Sequence, residues 1–207
     1  MRRIAPLTAV MMGVTTVSAL ATGAADGRIS PTTVQRFGTS LEALYHGRFW
    51  TLLTADWLVY NQRHWLSMLL LFFLFALPLE LLAGSAQLAR AFWLGSWGGT
   101  LATALLIRLL AGRAGWHPHP DLVTEPDIGG SAGTWGAAGA LHVALTRQSS
   151  WLVWPLRAGA LVYLGERLAF VHDSADVTHV VAVLLGMSVA WHSARTTHVA
   201  RSPGQPL

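Results

Sequence analysis

The run from residue 64 to 83, HWLSMLLLFFLFALPLELLA, constrains this chain more than any other segment. A helix needs about 20 apolar residues to cross the hydrocarbon core of a bilayer, and this run supplies that length with Glu80 as its only carboxylate. The rest of the chain agrees with it. Of 207 residues 53% are hydrophobic and 12% charged, against about 25% charged in a soluble domain, and mean hydropathy is +0.44. That composition excludes an ordinary soluble domain and also disorder, which needs polarity and net charge. Cysteine is absent, which removes disulfides, zinc–thiolate sites and thiol catalysis. All basic residues are arginine, and they are scattered rather than clustered as a nucleic-acid binder needs.

Six spans are expected: about 5–24, 64–83, 90–111, 129–147, 151–170 and 177–194. They make one all-α, polytopic domain covering residues 1–207. The Met-Arg-Arg start resembles the n-region of a signal peptide, but the chain that follows is itself membrane-embedded, so the first span is read as retained. Gly95, Gly98 and Gly99 mark where a neighbouring helix can approach the third span closely. The fourth span, GGSAGTWGAAGALHVALTR, is rich in small residues rather than leucine. No internal repeat is visible, which disfavours a repeat-built transporter.

Residues 25–63 form a long loop with an amphipathic stretch, FWTLLTADWLVY, that reads as an interfacial segment. The proline-rich residues 112–128 are not helical throughout. These loops are expected on one side, with the loop near 171–176. The side holding Arg2, Arg3, Arg90, Arg147, Arg195 and Arg201 carries Glu80 as its only acid, which places both termini in the cytoplasm.

Polar side chains inside spans are costly and are functional candidates by default. Ser131, His64 and His179 each stand near the outer start of an even-numbered span, so they share a depth. His142 lies three turns further into the fourth span and reads as a packing or hydrogen-bonding residue. A serine and a histidine at one depth can form a nucleophilic dyad, with a second histidine and a backbone amide holding the oxyanion. Taken singly, such a serine is more often packing glue and such a histidine interfacial. The pattern Gly129-Gly130-Ser131-Ala132-Gly133 is GxSxG, but it opens a helix in a chain without parallel strands, so a hydrolase elbow fails its context. As a helix it places Ser131, Trp135 and Gly139 on one face, and from His179 the same reasoning reaches Ala182 or Val183 and Gly186.

Over residues 48–190 the chain resembles the rhomboid intramembrane serine proteases, in particular the divergent rhomboid-like proteins of actinobacteria. Trp50 and Thr54 stand where rhomboids carry the Trp of a loop-anchoring Trp-Arg motif and a following Thr. His64 matches the oxyanion histidine, Glu80 a helix-ending Glu, Ser131 the nucleophile and Trp135 the aromatic four residues later. Gly139 matches a glycine eight residues later, His179 the general base, and Gly186 a glycine seven residues after it. The chain departs from the pattern at Met68, where the family has an oxyanion Asn, at Thr51 in place of Arg, and at Ala132 in place of Gly. Ser67 and Asn61 are the polar neighbours of Met68, but helical geometry turns Ser67 away and leaves Asn61 near the surface.

The resemblance implies a six-helix protease that cleaves transmembrane protein substrates near the outer surface of a bacterial plasma membrane. Ser131 is then the nucleophile, His179 the base, and His64 with the Ser131 amide the oxyanion hole. Trp135, Gly129, Gly133, Gly139 and Gly186 support the site, and no cofactor or metal is implied. His117 and His119 in HPHP form a possible metal pair but read as exposed loop residues. Two alternatives stay open: a pseudoprotease of the same fold that binds membrane clients without cutting them, and a small transporter with a glycine-lined core.

Overall fold

The computed structural model describes residues 4–114, 121–147, 154 and 174–199. Every regular element among them is helical, and two isolated backbone bridges, Arg28 with Asn61 and Thr39 with Asp127, join loop segments. The all-α expectation therefore holds for the described residues. Helices occupy five of the six expected spans: Pro6–Ala21, Gln62–Ala83, a run from Ser85 to Ala114, Ser131–Arg147 and Ser174–Val199. The expected span 151–170 lies outside the described residues, apart from the helical Trp154. Two of the helices, Gln62–Ala83 and Ala175–Ser193 within the last, are long and apolar enough to cross a membrane.

The third of these helices begins earlier than expected. Gly84, at φ +89°, breaks the chain after Ala83, and Ser85 starts the next helix directly. This corner is held by Glu80, which is almost fully buried. Its carboxylate accepts from the backbone N–H of Leu7 at 2.9 Å and of Thr8 at 2.7 Å, from the Thr8 hydroxyl at 2.6 Å and from the Ser85 hydroxyl at 2.5 Å. The first turn of a helix leaves its N–H groups unpaired and its dipole favours negative charge there. The Pro6–Ala21 helix has no cap from its own chain start, so Glu80 caps it from a distant helix.

Both central helices contain a π-helical turn, Phe72–Ala76 and Leu94–Gly98. The buried residues Met68, Phe72, Ala76 and Glu80 recur every four positions. At 3.6 residues per turn a pure α-helix rotates such a stripe steadily off one face. The wider turn cancels that drift and keeps the stripe inward. In the next helix, Leu88 and Phe92 precede the same device, Ser96 lies within it, and Gly99, Thr103 and Ile107 continue the buried face.

The 131–147 and 174–199 helices pack backbone against backbone. A methyl group on Gly139 would strike the Val183 carbonyl, and one on Gly186 would strike the Gly136 carbonyl. Gly95 approaches the Cα of Gly136, where an added Cβ would stand 2.8 Å away, and Gly99 meets Thr178. The outward faces are apolar: Val10, Val17, Leu66, Leu70, Phe73, Leu105 and Leu184 are all exposed. Soluble monomers rarely present so much exposed hydrocarbon.

Gly186→Ala should lower the melting temperature of the detergent-solubilised protein, at the overpacking cost of about 1–3 kcal/mol. Gly13 has open space around it inside the first helix, so Gly13→Ala should leave stability unchanged or raise it slightly. Parallel thermal unfolding of the two variants checks the contrast.

Candidate active site

Ser131 is the first residue of the 131–147 helix, and its Oγ lies 2.8 Å from Nε2 of His179 on the 174–199 helix. Both side chains are half-buried. The glycine contacts described above bring them together, because any side chain at Gly139 or Gly186 would hold the two helices apart. Trp135, one turn after Ser131, sets its ring 6.3 Å from the His179 ring at a tilt of 47° and also meets Phe75. Ala132 is buried and does not prevent the Ser131–His179 hydrogen bond.

The glycines around Ser131 each make room for a particular neighbour. Gly129, at φ +113°, faces the edge of His64: a Cβ there would stand 2.9 Å from Nε2. Gly130 and Gly133 lie against the Phe92 ring, which stacks on Trp57 and meets Trp93 edge-on. The GxSxG spelling thus reflects close packing at the head of a helix.

His64 is oriented by its own chain. The Tyr60 N–H donates to Nδ1 at 3.2 Å, and the Tyr60 ring stacks on the imidazole with centroids 5.4 Å apart. A ring nitrogen that accepts carries no proton, so neutral His64 bears its proton on Nε2, the atom facing Gly129. That makes Nε2–H a donor aimed at the segment leading into Ser131. The Tyr60 hydroxyl donates to the Pro126 carbonyl at 2.8 Å, tying the segment before His64 to the segment before Ser131.

Met68 is buried in the main apolar core. Neither polar neighbour replaces an oxyanion donor there. Asn61 caps its helix by accepting from the His64 N–H at 2.9 Å, and the exposed Ser67 donates to the Arg63 carbonyl. Trp50 is half-exposed and meets Phe37 edge-on at 6.0 Å, while the Thr54 hydroxyl donates to the Phe37 carbonyl at 2.7 Å. These two contacts tie the Trp50–Thr54 segment to Phe37, at the position where Thr51 departs from the Trp-Arg motif of the resemblance. His142 is half-buried on the same helix as Ser131. His117 and His119 lie outside the described residues, and no cluster of metal-ligating side chains occurs among the described ones.

Sequence reasoning missed Asp56. It is buried at the end of the short Thr51–Ala55 helix, where Oδ1 accepts from the Ser96 hydroxyl at 2.5 Å and Oδ2 from the Trp97 indole N–H at 3.1 Å. Trp97 donates as well to the Leu52 carbonyl at 3.1 Å. That short helix is therefore clamped to the helical run that begins at Ser85, and the Ala55 carbonyl accepts from the Gly129 N–H at 2.8 Å. The clamp thus reaches the segment that carries Ser131. Its only sequence signal was an acid inside an amphipathic stretch, which a solvated face explains equally well.

The chain matches no protein-family model, no curated protein and no solved structure. The site therefore has to be interpreted from its own geometry.

Burial pushes the Asp56 carboxyl up to about 7, outweighing the hydrogen bonds from Ser96 and Trp97 that favour its charged form. An acid with a raised folded-state pKa contributes stability that is complete below the ordinary carboxylate range and is lost as pH rises through about 7. Wild type should therefore lose more thermal stability over that window than Asp56→Asn. Identical pH profiles of melting temperature would show that Asp56 is not held protonated.

Proposed function

We propose that this protein is a six-span, rhomboid-like intramembrane serine protease of a bacterial plasma membrane, with cytoplasmic termini and transmembrane proteins as substrates. The observation that carries the reading is the 2.8 Å contact between Ser131 Oγ and His179 Nε2 at the head of a helix. The apolar outward faces and the two helices of membrane-crossing length support the bilayer setting.

In this mechanism His179 Nε2 takes the Ser131 hydroxyl proton as Oγ attacks the scissile carbonyl carbon. The carbonyl oxygen gains the displaced electron pair and is held by the His64 Nε2–H and by the Ser131 amide, one of the unpaired N–H groups of a helix start. Protonated His179 then donates to the leaving amine nitrogen as the C–N bond breaks. A water molecule, deprotonated by His179, attacks the acyl-enzyme and releases the carboxyl product with Ser131 restored. Trp135 limits the tilt of the His179 ring, and Tyr60 fixes the tautomer of His64.

A second reading, a pseudoprotease that binds membrane clients, draws on one observation: apolar Met68 is buried where the resemblance calls for an oxyanion Asn. Loss of one such donor costs about 10²–10³ in turnover.

Labelling the detergent-solubilised protein with a fluorophosphonate decides between these readings. The protease predicts a labelled wild type, with labelling abolished in Ser131→Ala and reduced at least about 10²-fold in His179→Ala. A folded wild type that stays unlabelled, together with an unlabelled Met68→Asn, would support binding without cleavage.

A further inference from the structure

A cavity of about 670 Å³ opens beside His64, between the start of the outer loop and the first turns of the second span. Its walls are tied together. The Ile29 N–H donates to the Tyr60 carbonyl at 3.0 Å, Arg28 bridges to Asn61, and the Tyr60 hydroxyl reaches Pro126. The cavity is therefore formed before anything enters it. Ile29, Val34 and Pro126 give it apolar sides, and its floor includes His64. Arg28 and Arg63, both exposed, are also among its lining residues. No carboxylate is among the described residues that line it; the acids nearest in sequence, Asp26 and Glu125, are not part of the wall.

We propose that this cavity is a substrate subsite for an extended peptide stretch that carries an Asp or Glu within a few residues of the scissile bond. The proposal rests on the protease reading, because the shared wall is His64. A group seated there lies next to a carbonyl held at His64. The apolar sides take the aliphatic stem of the acidic residue, and the arginines pair its carboxylate, which guanidinium forks do well. The volume suits a few residues of substrate rather than one side chain. No described lining residue carries a negative charge, so an acidic occupant is the one that gains an ion pair with these exposed arginines.

Acetyl-tetrapeptide aldehydes test this directly on the full chain in a neutral detergent. The aldehyde carbon adds Ser131 Oγ reversibly, so each peptide competes with fluorophosphonate labelling. Glu and Gln are exchanged at each of the four positions in turn. At one position the Glu peptide should compete about five- to tenfold better than its Gln twin, the effect of two partly exposed guanidinium contacts. Arg28→Gln with Arg63→Gln should erase that ratio, so that each Glu peptide competes no better than its Gln twin. Arg28→Lys with Arg63→Lys should restore part of it. Equal Glu and Gln potency at every position, with labelling intact, would overturn the subsite and leave the protease reading standing. An unlabelled wild type would remove both. The subsite would also be overturned if the double Gln variant weakened all peptides alike, and only in phosphatidylglycerol-containing vesicles, because the arginines would then be seating lipid headgroups.

Discussion

The direct contact between the backbones of the 131–147 and 174–199 helices is the constraint on which the remaining structure depends. Gly136, Gly139 and Gly186 let carbonyl oxygens of one helix occupy the space that a side chain would fill on the other. Such contact gains dispersion over a long strip and gives the hydroxyl of Ser131 and the ring of His179 a fixed separation. Gly95 and Gly99 repeat the device on the third span, so three helices meet at nearly minimal distance. A small-residue helix of this kind offers little apolar side-chain area for burial. Its place is secured by shape.

Around this centre the polar contacts do a different job. Glu80 joins the first helix to the end of the 62–83 helix, Asp56 joins the 51–61 segment to the helical run from Ser85, and Tyr60 joins that segment to Pro126. Each removes a buried donor or acceptor that would otherwise remain unpaired, at a cost of about 1–3 kcal/mol. The outer ties converge on the segment entering Ser131, through the Ala55 carbonyl and the Gly129 amide. The 51–61 segment thus braces the head of the helix that begins at Ser131.

Several of these features were legible beforehand and others were not, for identifiable reasons. The dyad partners stood out because polar residues inside apolar runs are rare and share a depth when they head alternate spans. The glycines at 95, 99, 139 and 186 were legible as sites of close approach, although their partners were not. Helix starts were less certain: the break at Gly84 depends on a positive φ and on Glu80 reaching across to another helix. Asp56 and Tyr60 gave no usable signal, because an acid or a tyrosine in an interfacial segment is ordinary until its partners are known. The π turns were invisible too, since a four-residue spacing of buried side chains also fits a slowly drifting α-helix.

What the sequence determined by itself was a chain of long apolar helices and the short set of polar residues standing inside the apolar runs. Hydrophobic run length, scarce charge and lone polar residues are local properties that any fold must respect. Only the tertiary structure decided which of those residues touch, which nitrogen of His64 holds its proton, and which loop residues brace the site. Those outcomes depend on distances between helices far apart in the chain, and these are set by how closely backbones pack rather than by the composition of any one segment.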